Sequence, residues 1–262
     1  MKTPREITSR TNPSVKAAVT LRDSAKHRRE QRRFFIEGLR LCRDAFQSGI
    51  EIECLFVTRG AYEKNCGDIE KIAGPAKETL FISDGVAQRL SDTVNPQGIF
   101  CVCKTPEISF TPKREGKYIL LQNVADPSNV GAIIRTAEAL GLDGAVLSKG
   151  GCDIFNPKAL RASMGSIFRL PVAVAEDMTA AVSKMTAEGF LTVASVVSPK
   201  ARSVTEIDLG SGCAVVIGNE ANGVSQDLID VCSLSATIPM KGRAESFNAA
   251  NAATIIMWEM MR

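Results

Sequence analysis

The chain has 262 residues, of which 45% are hydrophobic and 23% are charged, and its formal net charge at pH 7 is +3. This length suits two modest domains that each bury a core. No run of about twenty residues is apolar and free of charges, so we expect no membrane span, and the opening stretch MKTPREITSRTNPSVK lacks the apolar segment of a secretory signal. We therefore expect a cytoplasmic protein.

The positive charge is concentrated near the N-terminus. Residues 1–43 hold 12 Lys or Arg and 4 Asp or Glu, a net charge of +8, whereas the rest of the chain holds 20 and 25, a net charge of −5. A basic end of this kind is typical of proteins that bind nucleic acid. A solvated helix face would carry the same charges, so the charge pattern alone leaves both interpretations open.

The cysteines and histidine do not form a metal-binding pattern. The eight cysteines stand mostly in apolar segments without a C-x-x-C pair, and His27 is the only histidine. We interpret the cysteines as reduced core residues, because Cys101 and Cys103, for example, alternate with apolar residues as on a buried sheet face. We predict no metal site.

The N-terminal part predicts a small α/β domain over residues 1–107. Hydrophobic periodicity predicts, in chain order, a helix at 12–29, a strand at 34–37, a helix at 39–47 and a strand at 51–58. ETLFISDGVAQRLSDT predicts a further strand and helix, with Asp84 as the helix cap, and NPQGIFCVCK predicts a turn and a strand. A linker is predicted at 108–116, in a stretch rich in proline and charge.

A second alternation of strands and helices covers residues 117–262. The predicted strands are 118–124, 144–148, 190–197, 213–218 and 235–239, and the predicted helices are 129–140, 157–165, 177–188, 224–231 and 246–261. Strands that alternate with helices imply a mostly parallel sheet with helices on both faces. Ligands bind such sheets beyond the carboxyl ends of the strands.

Common nucleotide and protease motifs are absent from the sequence. There is no G-x-x-x-x-G-K-[ST] loop, and no G-x-G-x-x-G follows a strand, so a nucleotide-dependent oxidoreductase is a remote alternative. With one histidine, outside the α/β core, a Ser-His-Asp or Cys-His device is not expected.

The stretch NVADPSNVGAIIRTAEALG, residues 123–141, places polar side chains between a strand and a helix. Asp126-Pro127 ends the strand, and Ser128 or Asn129 is predicted to cap the helix. Arg135 stands off the apolar stripe near the helix start, where a cation opposes the helix dipole. A turn with a surface arginine does not explain this set of residues together, so we predict a ligand site.

Two further segments carry polar residues at strand ends. In GNEANG, residues 218–223, the glycines allow close approach of a ligand, and Glu220 fits either a ribose-binding or catalytic carboxylate or a simple turn residue. In IPMKGRAESFNAAN, Ser246 is predicted to cap the last helix. Asn248 and Asn251 share a face at its start, although asparagines near a helix start are most often capping residues. The helix is then strongly apolar, which predicts burial against the core or a second subunit.

Taken together and in this order, the three segments resemble the SpoU family of RNA ribose 2′-O-methyltransferases, within the SPOUT class. NVADPSNVGAIIRTA, GNEANG and IPM…SFN match the three family motifs, except that Phe247 stands where Leu is usual and Ala249-Ala250 where a Val-Ser pair is usual. FIEGLR at 35–40 and LSDTVNPQG at 90–98 look like the substrate-binding domain of the ribosomal-RNA members, a small ribosomal-protein-like α/β fold.

The resemblance implies an α/β fold whose C-terminal parallel-sheet domain contains a deep trefoil knot. It also implies a homodimer formed through the catalytic domain, with each active site at the subunit interface. S-adenosylmethionine is the implied cofactor, and the second and third motifs would hold it. The residues implied to bind it are Gly218, Ile238, Met240, Phe247 and Asn248.

The resemblance assigns Arg135 to the ribose 2′-hydroxyl, with Asn129, Ser246 and Asn248 orienting the reactants. A guanidinium keeps its proton in proteins, so we expect Arg135 to stabilise negative charge on the oxygen rather than remove a proton. Glu220 or an RNA phosphate would accept the proton. Methyl transfer from a sulfonium needs no metal.

The expected partner is RNA. Arg28, Arg29, Arg32 and Arg33 of the basic arm would contact phosphates, with a strong salt dependence. The substrate-binding domain favours large-subunit ribosomal RNA. A transfer-RNA 2′-O-methyltransferase, and a knotted RNA-binding or assembly protein without catalysis, are the alternatives.

Overall fold

The protein is represented by a computed structural model that describes residues 6–107 and 110–262; residues 1–5 of the predicted N-terminal domain and 108–109 of the predicted linker lie outside the described residues. The chain divides into two compact units. One holds residues 6–107 with Phe155–Arg161, and the other holds residues 110–154 with Ala162–Arg262. The sequence predicts 155–161 within the C-terminal domain, whereas this segment packs with the first unit, where the rings of Phe155 and Phe34 stack at 4.5 Å.

The first unit is a five-stranded mixed sheet with helices. Its elements are β1 (Glu6–Ile7), α1 (Pro13–Asp23), α2 (Ala25–Gln31), β2 (Arg33–Glu37), α3 (Leu39–Gln47), β3 (Ile52–Val57), α4 (Arg59–Ala73), β4 (Glu78–Ile82), α5 (Asp84–Leu90) and β5 (Ile99–Lys104). The strand order is β1-β4-β3-β5-β2. β4 is parallel to β1 and β3, whereas β5 is antiparallel to β3 and β2.

Local capping explains where the first unit departs from the sequence prediction. The single helix predicted at 12–29 is two helices, because Ser24 is extended and its hydroxyl caps α2 by accepting from the His27 N–H. Ser83, not Asp84, caps α5 by accepting from the Val86 N–H at 3.4 Å. The sequence prediction omits α4, whose interior contains two glycines and a kink at Asn65.

Arg28 lies inside the first unit. It is 4% exposed, and its guanidinium donates hydrogen bonds to the main-chain oxygens of Leu21 (2.6 Å) and Arg22 (2.8 Å) near the end of α1. These carbonyls have no partner within the helix, so Arg28 satisfies them. The predicted phosphate contact of Arg28 is therefore wrong, because the side chain is buried and already bonded, whereas Arg29 beside it is exposed.

We expect Arg28→Ala to lower the free energy of unfolding by about 2 kcal/mol, since it leaves the buried carbonyl oxygen of Leu21 and the half-buried one of Arg22 without their donor. Urea denaturation measures the change. Arg29→Ala is the matched control: it removes the same charge one residue away, and should change the stability by less than about 0.5 kcal/mol. Equal effects of the two substitutions would contradict the structural role of Arg28.

The second unit is a seven-stranded parallel sheet with helices. Its elements are β6 (Lys117–Leu121), α6 (Pro127–Leu140), β7 (Gly144–Ser148), α7 (Pro157–Ser163), which begins in the segment that packs with the first unit, β8 (Val172–Ala175), α8 (Met178–Ala187), β9 (Leu191–Ser195), β10 (Arg202–Ser203), β11 (Cys213–Ile217), α9 (Gln226–Val231), β12 (Leu234–Thr237) and α10 (Ala249–Met260). The strand order is β10-β12-β9-β11-β6-β7-β8, and every pair is parallel. This confirms the predicted α/β class with a C-terminal parallel sheet.

The central strands of this sheet run through the core. All residues of β7 and β11 are buried, as are four of the five in β6. Buried parallel strands read as continuous apolar runs, which is why YILL and CAVVI are recognisable in the sequence. Because the strands are parallel, the loops after β6, β9, β11 and β12 all leave from the same edge of the sheet.

Residues 110–116 of the predicted linker belong to the second unit. The ring of Phe110 lies edge-on to Tyr118 at 5.5 Å, and the Lys113 N–H donates to the Tyr118 hydroxyl at 2.7 Å.

Within residues 6–107 and 110–262, no helix has the length and apolar character that crossing a bilayer requires. The same residues contain no group of three or more His, Cys, Asp or Glu side chains arranged to hold a metal ion.

Candidate active site

The first polar segment joins β6 to α6. Asp126 caps this helix by accepting from the Ser128 N–H at 2.8 Å, and Pro127 occupies its first turn, where the missing N–H costs nothing. The predicted cap, Ser128 or Asn129, is therefore wrong. Because the helix begins at Pro127, Arg135 lies in its third turn, beyond the reach of the dipole effect invoked from the sequence.

Asn123 connects three strand ends. Its φ of +53° is in the left-handed region, which Asn tolerates better than most residues. Its main-chain N–H donates to the Ser148 hydroxyl at 2.7 Å, and that hydroxyl donates to the Asn123 side-chain oxygen at 2.8 Å. The Asn219 amide donates to the Asn123 main-chain oxygen at 2.8 Å. The ends of β6, β7 and β11 are thereby held together.

The loop after β11 folds back on itself. The N–H of Asn219 donates to the oxygen of Gly223 at 3.1 Å, and the N–H of Gly223 donates to the oxygen of Asn219 at 2.9 Å. A Cβ atom at Gly218 would overlap main-chain atoms of Gly223 and Val224. Glycine is therefore required at this position by close packing of the backbone, not by a positive φ.

Glu220, Asn129 and Asn248 form one hydrogen-bonded chain, the amide relay. The Asn129 side-chain amide donates to Glu220 Oε1 at 2.9 Å, and the Asn248 amide donates to Asn129 Oδ1 at 3.0 Å. Glu220 also accepts from the main-chain N–H groups of Ala125 (3.2 Å) and Asp126 (3.3 Å). The three sequence segments therefore meet through one residue of each.

The surroundings of Glu220 favour its ionised form. Burial raises the pKa of this carboxyl, but the hydrogen bonds donated by Asn129 and by the main chain at Ala125 and Asp126 outweigh burial, so the pKa lies below its ordinary value. A carboxylate with a lowered pKa is a weak proton acceptor. The geometry thus fits Glu220 better as a clamp between loops than as a general base.

We expect Glu220→Gln to lower the free energy of unfolding by about 1 kcal/mol at pH 7. The NH2 group of the new side chain would face N–H groups that now donate to the Glu220 carboxylate. A lowered folded-state pKa stabilises the protein above the ordinary pKa near 4.5, and this contribution is lost as pH falls through the folded-state value. The difference between wild type and variant, measured by urea denaturation, should therefore shrink between pH 6 and pH 3.5. A difference independent of pH would contradict the clamp.

Asn248 also starts the last helix. Its side-chain oxygen accepts from the N–H groups of Ala250 (2.9 Å) and Asn251 (3.4 Å), so Asn248 and not Ser246 is the cap of α10. One asparagine thus fixes the helix start through its oxygen and joins the amide relay through its nitrogen. The sequence suggests the capping role but not the second bond.

A cavity of about 870 Å³ lies beside this network at the carboxyl edge of the sheet. Six of the predicted site residues line it: Gly218, Glu220, Ile238, Met240, Ser246 and Phe247. Asn129, Arg135 and Asn248 are not among the lining residues. The sequence prediction omits the other wall, which includes residues 195–198, Lys200 and Ala201, at and beyond the end of β9. Their position at the carboxyl end of a parallel strand is the signal that could have found them.

Arg135 stands apart from the amide relay. It is exposed, and its guanidinium makes no hydrogen bond or ion pair with any residue in the described part of the chain. Helix α6, which carries it, packs against α10. The hydrogen bonds between Asn129, Glu220 and Asn248 thus join the three segments, whereas the Arg135 guanidinium is available to bind a group from outside the described chain.

The fold and the cavity define the class of protein. An AdoMet-bound rRNA methyltransferase from Sinorhizobium meliloti superposes with a TM-score of 0.87 at 31% identity, over 98% of this chain and 97% of that one. The SpoU methyltransferase AviRb from Streptomyces viridochromogenes, in complex with AdoMet, gives a TM-score of 0.85 at 27% identity, over 95% and 97%. The protein has the fold of the SPOUT class of methyltransferases.

The particular family follows from the sequence matches. Residues 116–258 match the SpoU rRNA Methylase family, and residues 12–101 match the MRM3-like substrate binding domain. The chain belongs to the SpoU rRNA methylase family. The 23S rRNA (guanosine(2553)-2′-O)-methyltransferase RlmP of Bacillus subtilis is 34% identical over 257 residues, covering 98% of this chain and 99% of that protein.

Proposed function

We propose that the protein transfers a methyl group from S-adenosylmethionine to a ribose 2′-hydroxyl in large-subunit ribosomal RNA. The observation that carries this proposal is the amide relay, which joins one residue from each family motif beside a cavity of ligand size. Two similar proteins, from Bacillus subtilis and Streptomyces viridochromogenes, are named 23S rRNA 2′-O-methyltransferases.

The cavity fits S-adenosylmethionine in size and in chemistry. Its volume of about 870 Å³ lies within the usual range for small-molecule sites. Ile238, Met240 and Phe247, whose side chain is 42% exposed, offer apolar surface to a base, and the folded loop 218–223 offers main-chain polar groups. When bound, S-adenosylmethionine supplies an electrophilic methyl group.

The residues of this chain would then fix the shape of the cavity wall and stabilise charge on the ribose oxygen. Glu220 and Asn129 hold the loops after β11 and β6 in register, and Asn248 fixes α10 against both, so the cavity wall is preorganised. Arg135 would stabilise negative charge that develops on the ribose oxygen. Glu220 already accepts from three donors, so it would have to lose one of these hydrogen bonds to take up the ribose proton, and an RNA phosphate is the alternative acceptor.

RNA recognition would begin in the first unit. Arg29, Arg32 and Arg33 are exposed, although Arg32 lies 3.1 Å from Glu107 and Arg33 lies 2.5 Å from Glu53. Arg29, Arg32 and Arg33 are therefore the proposed phosphate contacts, without the buried Arg28. The match to a substrate-binding domain over residues 12–101 supports a folded RNA element as the target.

We also propose that the protein forms a homodimer through the second unit. The trefoil knot in this unit and the cytoplasmic location, both predicted above, are part of the same proposal. Trp258 on α10 is 59% exposed, and Met261, directly after the helix, is 39% exposed. Helix α10 packs against α6, the helix that bears Arg135. A second copy that covers this surface would bring Arg135 close to a cavity. Sedimentation equilibrium of the full chain tests the dimer.

Mapping of ribose methylation on ribosomal RNA, from cells with and without this protein, tests the function. We expect one 2′-O-methyl group in large-subunit RNA to disappear and to return when purified protein and S-adenosylmethionine are added. The loss of a transfer-RNA methyl group instead would identify the other substrate class. Calorimetry that finds no binding of S-adenosylmethionine would favour a non-catalytic assembly protein.

A further inference from the structure

The cations of the second unit fall into two groups. Within its described residues, seven of them have an acidic side chain or a main-chain oxygen as partner: Lys113, Lys117, Lys149, Arg169, Lys184, Arg202 and Arg262. The other five make no side-chain hydrogen bond or ion pair with described residues: Arg114, Arg135, Lys200, Lys241 and Arg243. Arg135 already has a proposed role in the reaction.

Three of the unpaired cations lie in the two loops, after β9 and β12, that carry lining residues at the mouth of the cavity. Lys200 follows β9 and lines the cavity, and Lys241 and Arg243 follow β12, between the lining residues Met240 and Glu245. β9 and β12 are adjacent parallel strands, so both loops leave from the same edge of the sheet. Every residue from 241 to 248 is exposed.

The charge at this mouth is not balanced by the protein. Two carboxylates line the cavity: Glu220 is occupied by its three donors, and Glu245 makes no side-chain hydrogen bond or ion pair with described residues. Three exposed cations against one free carboxylate leave a net positive rim. Such a rim attracts an anion, and a ribose inside the cavity would carry a phosphate on each side along the RNA backbone.

We propose that Lys200, Lys241 and Arg243 bind the backbone phosphates of the RNA strand whose ribose enters the cavity. This inference rests on the proposed function and extends it, because it gives the second unit an RNA-binding site of its own, in addition to the contacts proposed for the N-terminal arm. The contacts carry no base information, so they position the strand and leave the choice of sequence to the rest of the interface.

The test compares two triple variants of the full-length protein. The rim variant is Lys200→Gln, Lys241→Gln and Arg243→Gln. The control is Lys113→Gln, Arg114→Gln and Lys184→Gln, which removes the same charge at the opposite edge: residues 113 and 114 precede β6, and Lys184 lies near the end of α8, before β9. Filter binding to protein-free 23S ribosomal RNA over a salt series gives the affinity and its salt dependence.

We expect the rim variant to bind this RNA about 10- to 100-fold more weakly at 0.1 M salt, and its log–log salt slope to fall by about 2. Its affinity for S-adenosylmethionine should stay within about twofold of wild type. The control should change RNA affinity by less than about threefold. Melting curves of both variants check that they are folded.

Equal weakening by the control would overturn the proposal, because bulk charge and not the rim would then explain the loss. An unchanged salt slope in the rim variant would also overturn it. Weaker binding of S-adenosylmethionine to the rim variant would show that the cations serve the cofactor carboxylate instead. Wild-type protein that methylates no RNA would refute the proposed function itself, an outcome distinct from all of these.

Discussion

Arg135→Ala should lower the rate of methyl transfer by about 1000-fold while leaving the affinity for S-adenosylmethionine within about twofold of wild type. Arg135 is exposed, without a partner in the described chain, and does not line the cavity. Its removal therefore leaves the walls and the amide relay intact. What it removes is the positive charge available to the ribose oxygen, and one well-placed donor contributes about 100- to 1000-fold in comparable sites.

Two further variants sharpen this result. Arg135→Lys should recover little of the rate, because an ammonium lacks the planar fork of a guanidinium. Arg114→Ala is the matched control, since Arg114 is the other exposed arginine of the second unit without a partner that lies outside the cavity loops. It should transfer methyl groups at the wild-type rate. Transfer by Arg135→Ala at more than a tenth of that rate would rule out the assigned role.

The sequence predicts the sheet well because its central strands are buried on both faces. β6, β7 and β11 are continuous apolar runs followed by glycine or polar residues, and all three are strands in the structure. The predictions fail where local signals are weak. β8 has only four residues after a proline, and α4 contains glycines and a kink, so neither has a clear period.

The helix starts show a different limit. Asn129 and Ser246 are good capping residues by type, yet Asp126 and Asn248 cap α6 and α10. For α6 the signal is local, because Pro127 favours the first helical position and so makes Asp126 the cap. The bond of Asn129 with Glu220, a residue 91 positions away, is tertiary. Strand order places such residues at the same sheet edge, but it does not say which amide bonds to which carboxylate.

The burial of Arg28 was equally beyond sequence reasoning. Arg28 is one of four arginines in a short run of charged residues. Only the packing of α2 against the end of α1 distinguishes it from the other three. A basic segment therefore predicts an electrostatic surface but not which of its cations face solvent. The same holds for the rim: the charges of Lys200, Lys241 and Arg243 are visible in the sequence, and their lack of partners is not.

Gly218→Ala should weaken S-adenosylmethionine binding by at least about 100-fold, which corresponds to about 2.7 kcal/mol. A Cβ at this position overlaps main-chain atoms of Gly223 and Val224, which cannot move aside as a flexible side chain could. The loop must open, and this loop forms one wall of the cavity and carries Glu220. Calorimetry measures the affinity, and faster hydrogen exchange at the Gly223 N–H reports the opening.

Gly223→Ala separates close packing from backbone strain in the same loop. Gly223 has a φ of +67°, but a Cβ there meets no atom within 4 Å. The substitution therefore adds only the strain of a left-handed residue, about 1–2 kcal/mol, and should weaken cofactor binding by less than about tenfold. If the two substitutions reduced the affinity equally, the cavity wall would depend on the flexibility of the loop and not on the close contact at Gly218. A larger loss at Gly218 would instead tie cofactor binding to the folded-back loop that also holds Glu220 against Asn129.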